Sequence, residues 1–170
     1  MIHVTGRLMV DAVSQNSPAS DHNDPLRVRK TALDILNRVD QGNRTLDNIL
    51  EEILETEPFP SKRDRSLLQA LVFGVLRWRG RLDYVIGSFS QTPFSRIDPP
   101  IRHVLRLGLF QIQYLNRIPA SAAVNTAVEL AKASSPPWVA RFVNGVLRLS
   151  LIHISEPTRP PVAARMPSSA

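Results

Sequence analysis

SKRDRSLLQALVFGVLRWRGRLD, residues 61–83, is the stretch whose reading decides the fold. Its apolar residues Leu67, Leu68, Leu71, Val72, Val75 and Leu76 recur at i, i+1, i+4, i+5, i+8 and i+9, which winds them into one stripe of a 3.6-residue helix. Ser61 and Asp64 have the spacing of a capping box, with aspartate in place of glutamate, so the helix is expected to open there. Gly80 is expected to permit the turn out of it. Burying six such side chains, at roughly 1.5 to 3 kcal/mol each before entropy is subtracted, exceeds what any other segment offers. The stretch is therefore expected to form the central helix. Both of its ends are basic: Lys62, Arg63 and Arg65 lie in the first turns, and Arg77, Arg79 and Arg81 bracket Trp78 at the far end.

Upstream, Asp24-Pro25 supplies a cap acceptor and a proline at the first helical position, and Val28, Ala32, Ile35, Leu36 and Val39 form one apolar face that Gly42 ends. A second helix is expected over about residues 45–55, before Pro58 and Pro60 break the chain. Downstream, Leu82, Val85, Ile86 and Phe89 mark a fourth helix. Asp98-Pro99 then opens a strongly apolar fifth, with Ile101, Val104, Leu105, Ile112 and Leu115. Gly108 inside it is expected to mark a close crossing, since glycine there costs about 1 kcal/mol relative to alanine. A sixth helix follows Pro119, with Ser121 at its cap and Val124, Ala127, Val128 and Ala131 facing inward. Its Asn125 is expected to be a hydrogen-bonding post near the core. Pro136-Pro137 starts a seventh, with Val139, Phe142, Val143, Val146 and Leu147 facing inward. No alternating strand pattern occurs, so the expected architecture is an all-α bundle of about seven helices.

The chain has 170 residues, 43% of them hydrophobic, enough for one globular domain with tails. No apolar run of membrane-spanning length and no export signal is legible, so a cytoplasmic location is expected. There is no cysteine, which removes disulfides, thiolate metal sites and thiol nucleophiles. The four histidines, His3, His22, His103 and His153, show no i, i+4 pairing, and no metal site is expected. Net charge is +6, and 18 of the 21 basic residues are arginine, the side chain best suited to forking onto phosphate. Residues 40–57 hold six acids against one arginine, whereas residues 61–81 hold six basic residues against one aspartate. A polyanionic partner and a mixed solvated surface both fit that charge.

DRSLLQALVFGVLRWRGRLDYVI, IRHVLRLGLFQIQYL, RIPASAAVNTAVELAK and RFVNGVLR, in that order and spacing, resemble the NusB-type RNA-binding domain over about residues 24–148. Within that superfamily GVLRWRGRLD, residues 74–83, is closer to the N-terminal domain of the RsmB-type (Sun or Fmu) 16S ribosomal RNA cytosine-5 methyltransferases than to free antitermination factors. The resemblance implies two packed helical subdomains that contact RNA, 16S rRNA in the methyltransferase case. It also implies a partner domain, absent from this chain, that binds S-adenosylmethionine and carries catalytic cysteines. Cytosine is unreactive at C5 until a nucleophile adds at C6, and a chain without cysteine lacks the thiolate that does so in that family. No catalytic residue and no cofactor are expected here. The alternative is a stand-alone NusB-like antitermination factor acting with a protein partner on nascent rRNA; a third reading is a scaffold whose arginines only solvate the fold. From Leu149, LSLIHISEPTR resembles a translated sequencing-library adapter, so residues 149–170 are expected to be a non-native, unpacked tail, and residues 1–23 a disordered one.

Two sets of candidate RNA-binding residues follow. Arg27, Arg29 and Lys30 lie off the apolar face of the first helix and match the basic helix of NusB-type domains in position and charge. Arg77, Arg79 and Arg81 with Trp78 combine phosphate-pairing groups with an aromatic that could stack a base. Trp78 reads more readily as a packed tryptophan closing a core helix, with only its ring edge exposed. The isolated Asp83 is expected to cap a helix or pair with an arginine.

Overall fold

A computed structural model describes residues 24–56 and 61–155 of the chain. The two anticipated tails, from residue 156 on in the second case, and the break at Pro58 and Pro60 lie outside the described residues. The order is α1 (Arg27–Asp40), α2 (Leu46–Thr56), α3 (Lys62–Arg77), α4 (Arg79–Phe89), a 3-10 turn (Phe94–Arg96), α5 (Pro99–Tyr114), α6 (Ala120–Ser134) and α7 (Pro137–Ser155). No strand occurs among the described residues. α1 to α3 form one helical group and α4 to α7 a second, packed on it chiefly through α5.

Local chemistry sets several of the helix ends. The Ser61 hydroxyl oxygen accepts the Asp64 N–H at 3.0 Å, as the capping spacing requires. Asp24 accepts the Leu26 N–H at 2.8 Å and turns the chain into α1, which begins two residues past Pro25. Gly42, at φ +71°, ends α1 in the left-handed region that side chains avoid. Two expected ends differ. The turn out of α3 falls at Trp78 (φ −99°, ψ 12°), and Gly80 lies inside α4. Trp78 donates its N–H to Gly74 at 3.0 Å and its carbonyl accepts from Leu82 at 2.9 Å, so one bridge-region residue closes one helix and opens the next. α6 starts at Ala120 after Pro119, so Ser121 sits in its first turn rather than at its cap.

The centre of the fold is α5, not α3. α3 buries Leu68, Leu71, Val72 and Val75, with Leu67 and Leu76 half-buried on its flanks. α5 packs against α1, α3, α4, α6 and α7, and His103 to Gln111 are buried without interruption. A stripe pattern marks the apolar residues that face inward, and it does not show that polar residues such as His103, Arg106 and Gln111 are buried beside them. Two glycines allow the enclosure. A Cβ at Gly108 would lie 2.7 Å from Leu147 Cδ1 and 3.1 Å from Ala127 Cβ, the close crossing expected there. A Cβ at Gly74 of α3 would lie 2.0 Å from Phe110 Cζ.

α7 corrects the domain boundary placed at Arg148, because the helix runs on to Ser155. Ser150 is buried and donates its hydroxyl to the Leu147 carbonyl at 2.7 Å, Leu151 packs on the core, and the His153 ring lies 4.9 Å from Phe89. Residues 143, 147 and 151 continue one helical stripe through the adapter-like letters. No helix of the described residues is long and apolar enough to cross a membrane.

Candidate nucleic-acid interface

The α3–α4 corner carries the second candidate set. Trp78 is 37% exposed and stacks on Tyr114 (centroids 5.2 Å, planes 16° apart), which stacks in turn on Phe110 (5.2 Å, 24°). One face of the indole is thus packed, while part of the ring stays exposed. The Arg77 guanidinium lies 5.9 Å from the Trp78 ring centroid, within cation–π reach. Arg77 and Arg81 are exposed. Sequence reasoning passed over two further aromatics here: Phe73, 48% exposed one turn before Arg77, and Tyr84, 76% exposed one turn after Arg81. Their signal was their absence from the apolar stripes, since an aromatic off the stripe faces water.

Arg79 forks onto Asp40 at the end of α1, with Nη1 2.9 Å from Oδ1 and Nη2 3.2 Å from Oδ2. Behind it runs a polar chain into the core. His103 Nε2 is 2.9 Å from Asp40 Oδ2, and Arg106 Nη1 is 3.3 Å from His103 Nδ1. Arg106 Nε and Nη2 donate to the two Asp83 carboxylate oxygens at 2.6 and 2.9 Å. Asp83 thus has the arginine partner expected for it, and the partner is fully buried on α5. Because Arg106 can only donate, Nδ1 is the acceptor, which assigns His103 as the neutral Nε2–H tautomer donating to Asp40.

Burial, and then the charge of Arg106, hold His103 below its ordinary value, against the opposing pull of Asp40. Burial alone would raise the Asp40 carboxyl, but His103 and Arg79 outweigh it and hold the carboxyl below its usual value. In the window below about pH 6.5 the unfolded chain takes up a proton that native His103 resists, so stability falls as pH drops through it. The Asp40 contribution is lost lower, below about pH 4. We expect the urea midpoint to fall between pH 7 and pH 5, and to fall less in His103→Gln; equal midpoints in the parent would contradict the neutral, buried histidine.

The first candidate set is divided. Arg29, expected off the apolar face of α1, is 6% exposed: its Nε donates to Gln111 Oε1 at 2.7 Å, Nη1 donates to the Pro25 carbonyl, and Gln111 is itself tied to the Leu107 carbonyl at 2.9 Å. This corrects Arg29 from a surface RNA contact to a structural pin between α1 and α5. Its position next to Val28 and three before Ala32 carries it to the α5 side, where the long stem packs and the fork finds amide oxygens. Arg27 is half-buried and Lys30 exposed. The structure does not bring the two sets together, because Lys30 and Asp40 lie about 15 Å apart along α1 at 1.5 Å per residue.

Asn125 also departs from expectation. It is exposed, on the flank of α6 that carries Val128 and Lys132, and with Asn144 and Arg141 of α7 it lines an open groove of about 600 Å³. The described residues hold no cluster of three or more metal-ligating side chains.

The described residues thus form seven helices, five of them packed on a buried α5, with an arginine-edged corner between α3 and α4. The NusB family profile matches residues 26–151, and the chain belongs to that family. It is 37% identical over 123 residues to the probable ribosomal RNA small subunit methyltransferase B of Synechocystis sp., a match covering 72% of this chain and 27% of that protein. It is 39% identical over 124 residues to the transcription antitermination protein NusB of Chloroflexus aggregans, covering 71% of this chain and 82% of that one. The crystal structure of antitermination factors NusB and NusE in complex with dsRNA contains a chain of the same fold, with TM-score 0.67, 23% identity, and coverage of 75% of this chain and 96% of that one. The chain therefore spans only about a quarter of the length of the methyltransferase relative.

Proposed function

We propose that this chain is the RNA-binding accessory domain of a 16S rRNA cytosine-5 methyltransferase, working beside a separate domain that binds S-adenosylmethionine. The observation that carries the RNA reading is the α3–α4 corner, where exposed Arg77 and Arg81 interleave with the half-exposed, stacked Trp78. Phosphate forks next to a planar ring suit single-stranded or loop RNA, whose splayed bases stack while the backbone is neutralised. Identity to methyltransferase B proteins supports the rRNA assignment, and the RNA in the fold neighbour's complex supports the ligand class. Catalysis belongs to the partner domain in this reading, because the chain offers no cysteine to add to cytosine C6.

The 39% identity to an antitermination protein of similar length favours a second reading, a free factor that binds nascent rRNA together with a protein partner. Affinity for a 16S rRNA fragment compared with an rRNA leader transcript separates the two. The shared RNA reading is tested by replacing Arg77, Arg79 and Arg81 together with glutamine. Loss of three phosphate contacts is expected to weaken binding to single-stranded RNA and to flatten log affinity against log salt by roughly 2 units, at about 0.7 per contact. Arg27 and Lys30, without the buried Arg29, form the second variant. Parent affinity and slope in both variants would remove RNA from these surfaces and bring the scaffold reading forward.

A further inference from the structure

Among the described residues, Arg79 is the one corner arginine whose guanidinium is held by a carboxylate, and the manner of holding is specific. Asp40 takes one hydrogen from each terminal nitrogen, Nη1 and Nη2, end-on. A guanidinium has five N–H donors, so this contact leaves the Nε–H and the outer hydrogens of both Nη atoms for a second acceptor. The Nε and Nη edge of the fork matches two phosphate oxygens side-on. Asp40 is in turn anchored. α5 brings His103, whose Nε2–H holds Oδ2 at 2.9 Å, and Arg106, which fixes the tautomer from Nδ1; α4 brings Asp83, which holds Arg106 in place. Arg79 is 43% exposed at its side chain, whereas His103 and Arg106 are 1% and 2% exposed. A solvent-facing arginine thus sits at the outer end of a rigid buried chain that links α1, α4 and α5.

We propose that Asp40, backed by His103, Arg106 and Asp83, is a positioning residue that aims the free edge of Arg79 at an RNA phosphate. This rests on the RNA-binding reading above and gives Arg79 a role that Arg77 and Arg81, which have no such carboxylate anchor among the described residues, do not share. An oriented first contact supported from behind binds without first losing side-chain freedom, which is the usual work of residues one layer behind a ligand.

The inference has a sign opposite to that of simple charge. Asp40→Asn removes a negative charge close to a polyanion, so electrostatics alone predicts tighter binding. Positioning predicts weaker binding: with a labelled oligouridylate, Asp40→Asn is expected to lose about fivefold in affinity and about 0.7 of the salt slope, the share of one phosphate contact. In an Arg79→Gln background the same substitution is expected to change nothing further, because the double-mutant cycle removes an effect transmitted through Arg79. Arg79→Lys, a surface change that keeps the charge and lacks the fork, is expected to bind as weakly as Arg79→Gln; it decides the matter if Asp40→Asn does not fold. Tighter binding by Asp40→Asn, an equal effect in both backgrounds, or parent affinity in Arg79→Lys would each overturn the proposal while leaving RNA binding at the corner intact. If Arg79→Gln itself binds like the parent, or oligouridylate does not bind the parent chain, the placement of RNA at Arg79 fails and the positioning role fails with it.

Discussion

Asp83→Asn is expected to destabilise this domain by about 3 kcal/mol, the range for stranding one member of a buried ion pair, and to lower Tm by roughly 6 to 12 °C for a domain of this size. The reason is the asymmetry of the pair. Arg106 is 2% exposed and the Asp83 side chain 23% exposed. Without the carboxylate, the partners left to the buried guanidinium among the described residues are His103 Nδ1 at 3.3 Å and the Phe94 ring at 5.8 Å, neither of which carries negative charge. Arg106→Met is expected to cost less, because it leaves Asp83 with access to water and fills similar volume with an apolar chain. Urea titrations of both variants at pH 7 check the ordering. Equal losses, or a larger loss in Arg106→Met, would mean that the stem of Arg106 rather than its charge holds α4 to α5.

The second large effect is expected at Gly74. On an ordinary helix glycine to alanine gains up to about 1 kcal/mol from propensity. Here the new Cβ would meet three atoms of the Phe110 ring at 2.0 to 2.6 Å, and the ring cannot swing freely because Tyr114 stacks on it. Gly74→Ala is therefore expected to lose about 1 to 3 kcal/mol, as overpacked cores do. It is also expected to disturb the Phe110, Tyr114, Trp78 ladder. Phe110→Leu in the same chain should recover part of the loss, giving a favourable coupling in the cycle. Stabilisation by Gly74→Ala alone would contradict the close approach of α3 to α5.

Residue chemistry that acts within a few positions was legible in the sequence. Ser61 caps α3, Gly42 ends α1, Gly108 marks a crossing, and seven apolar periodicities match seven helices among the described residues, because each of these depends on spacing along one segment. The family resemblance rests on the same local patterns and is met by the NusB profile over residues 26–151. At the candidate site the basic letters were visible, but not their engagement. Arg29 and Arg77 look alike in the sequence; one is buried against Gln111 and the other is exposed beside Trp78.

What only the tertiary structure decided is how partners distant in sequence meet. Asp40, Arg79, Asp83, His103 and Arg106 come from three helices, and nothing in their spacing announces a chain of contacts running from solvent to the core. The same holds for the place of α5. The apolar stripe of α3 pointed to it as the centre; what the letters of α5 do not show is that His103, Arg106 and Gln111 are buried along with its apolar residues, because their partners lie on other helices. The sequence determined which segments coil and several of the points where they start and stop, since those free energies are local. The tertiary structure decided which charges face water and which are held inside, because burial is a property of the packed whole.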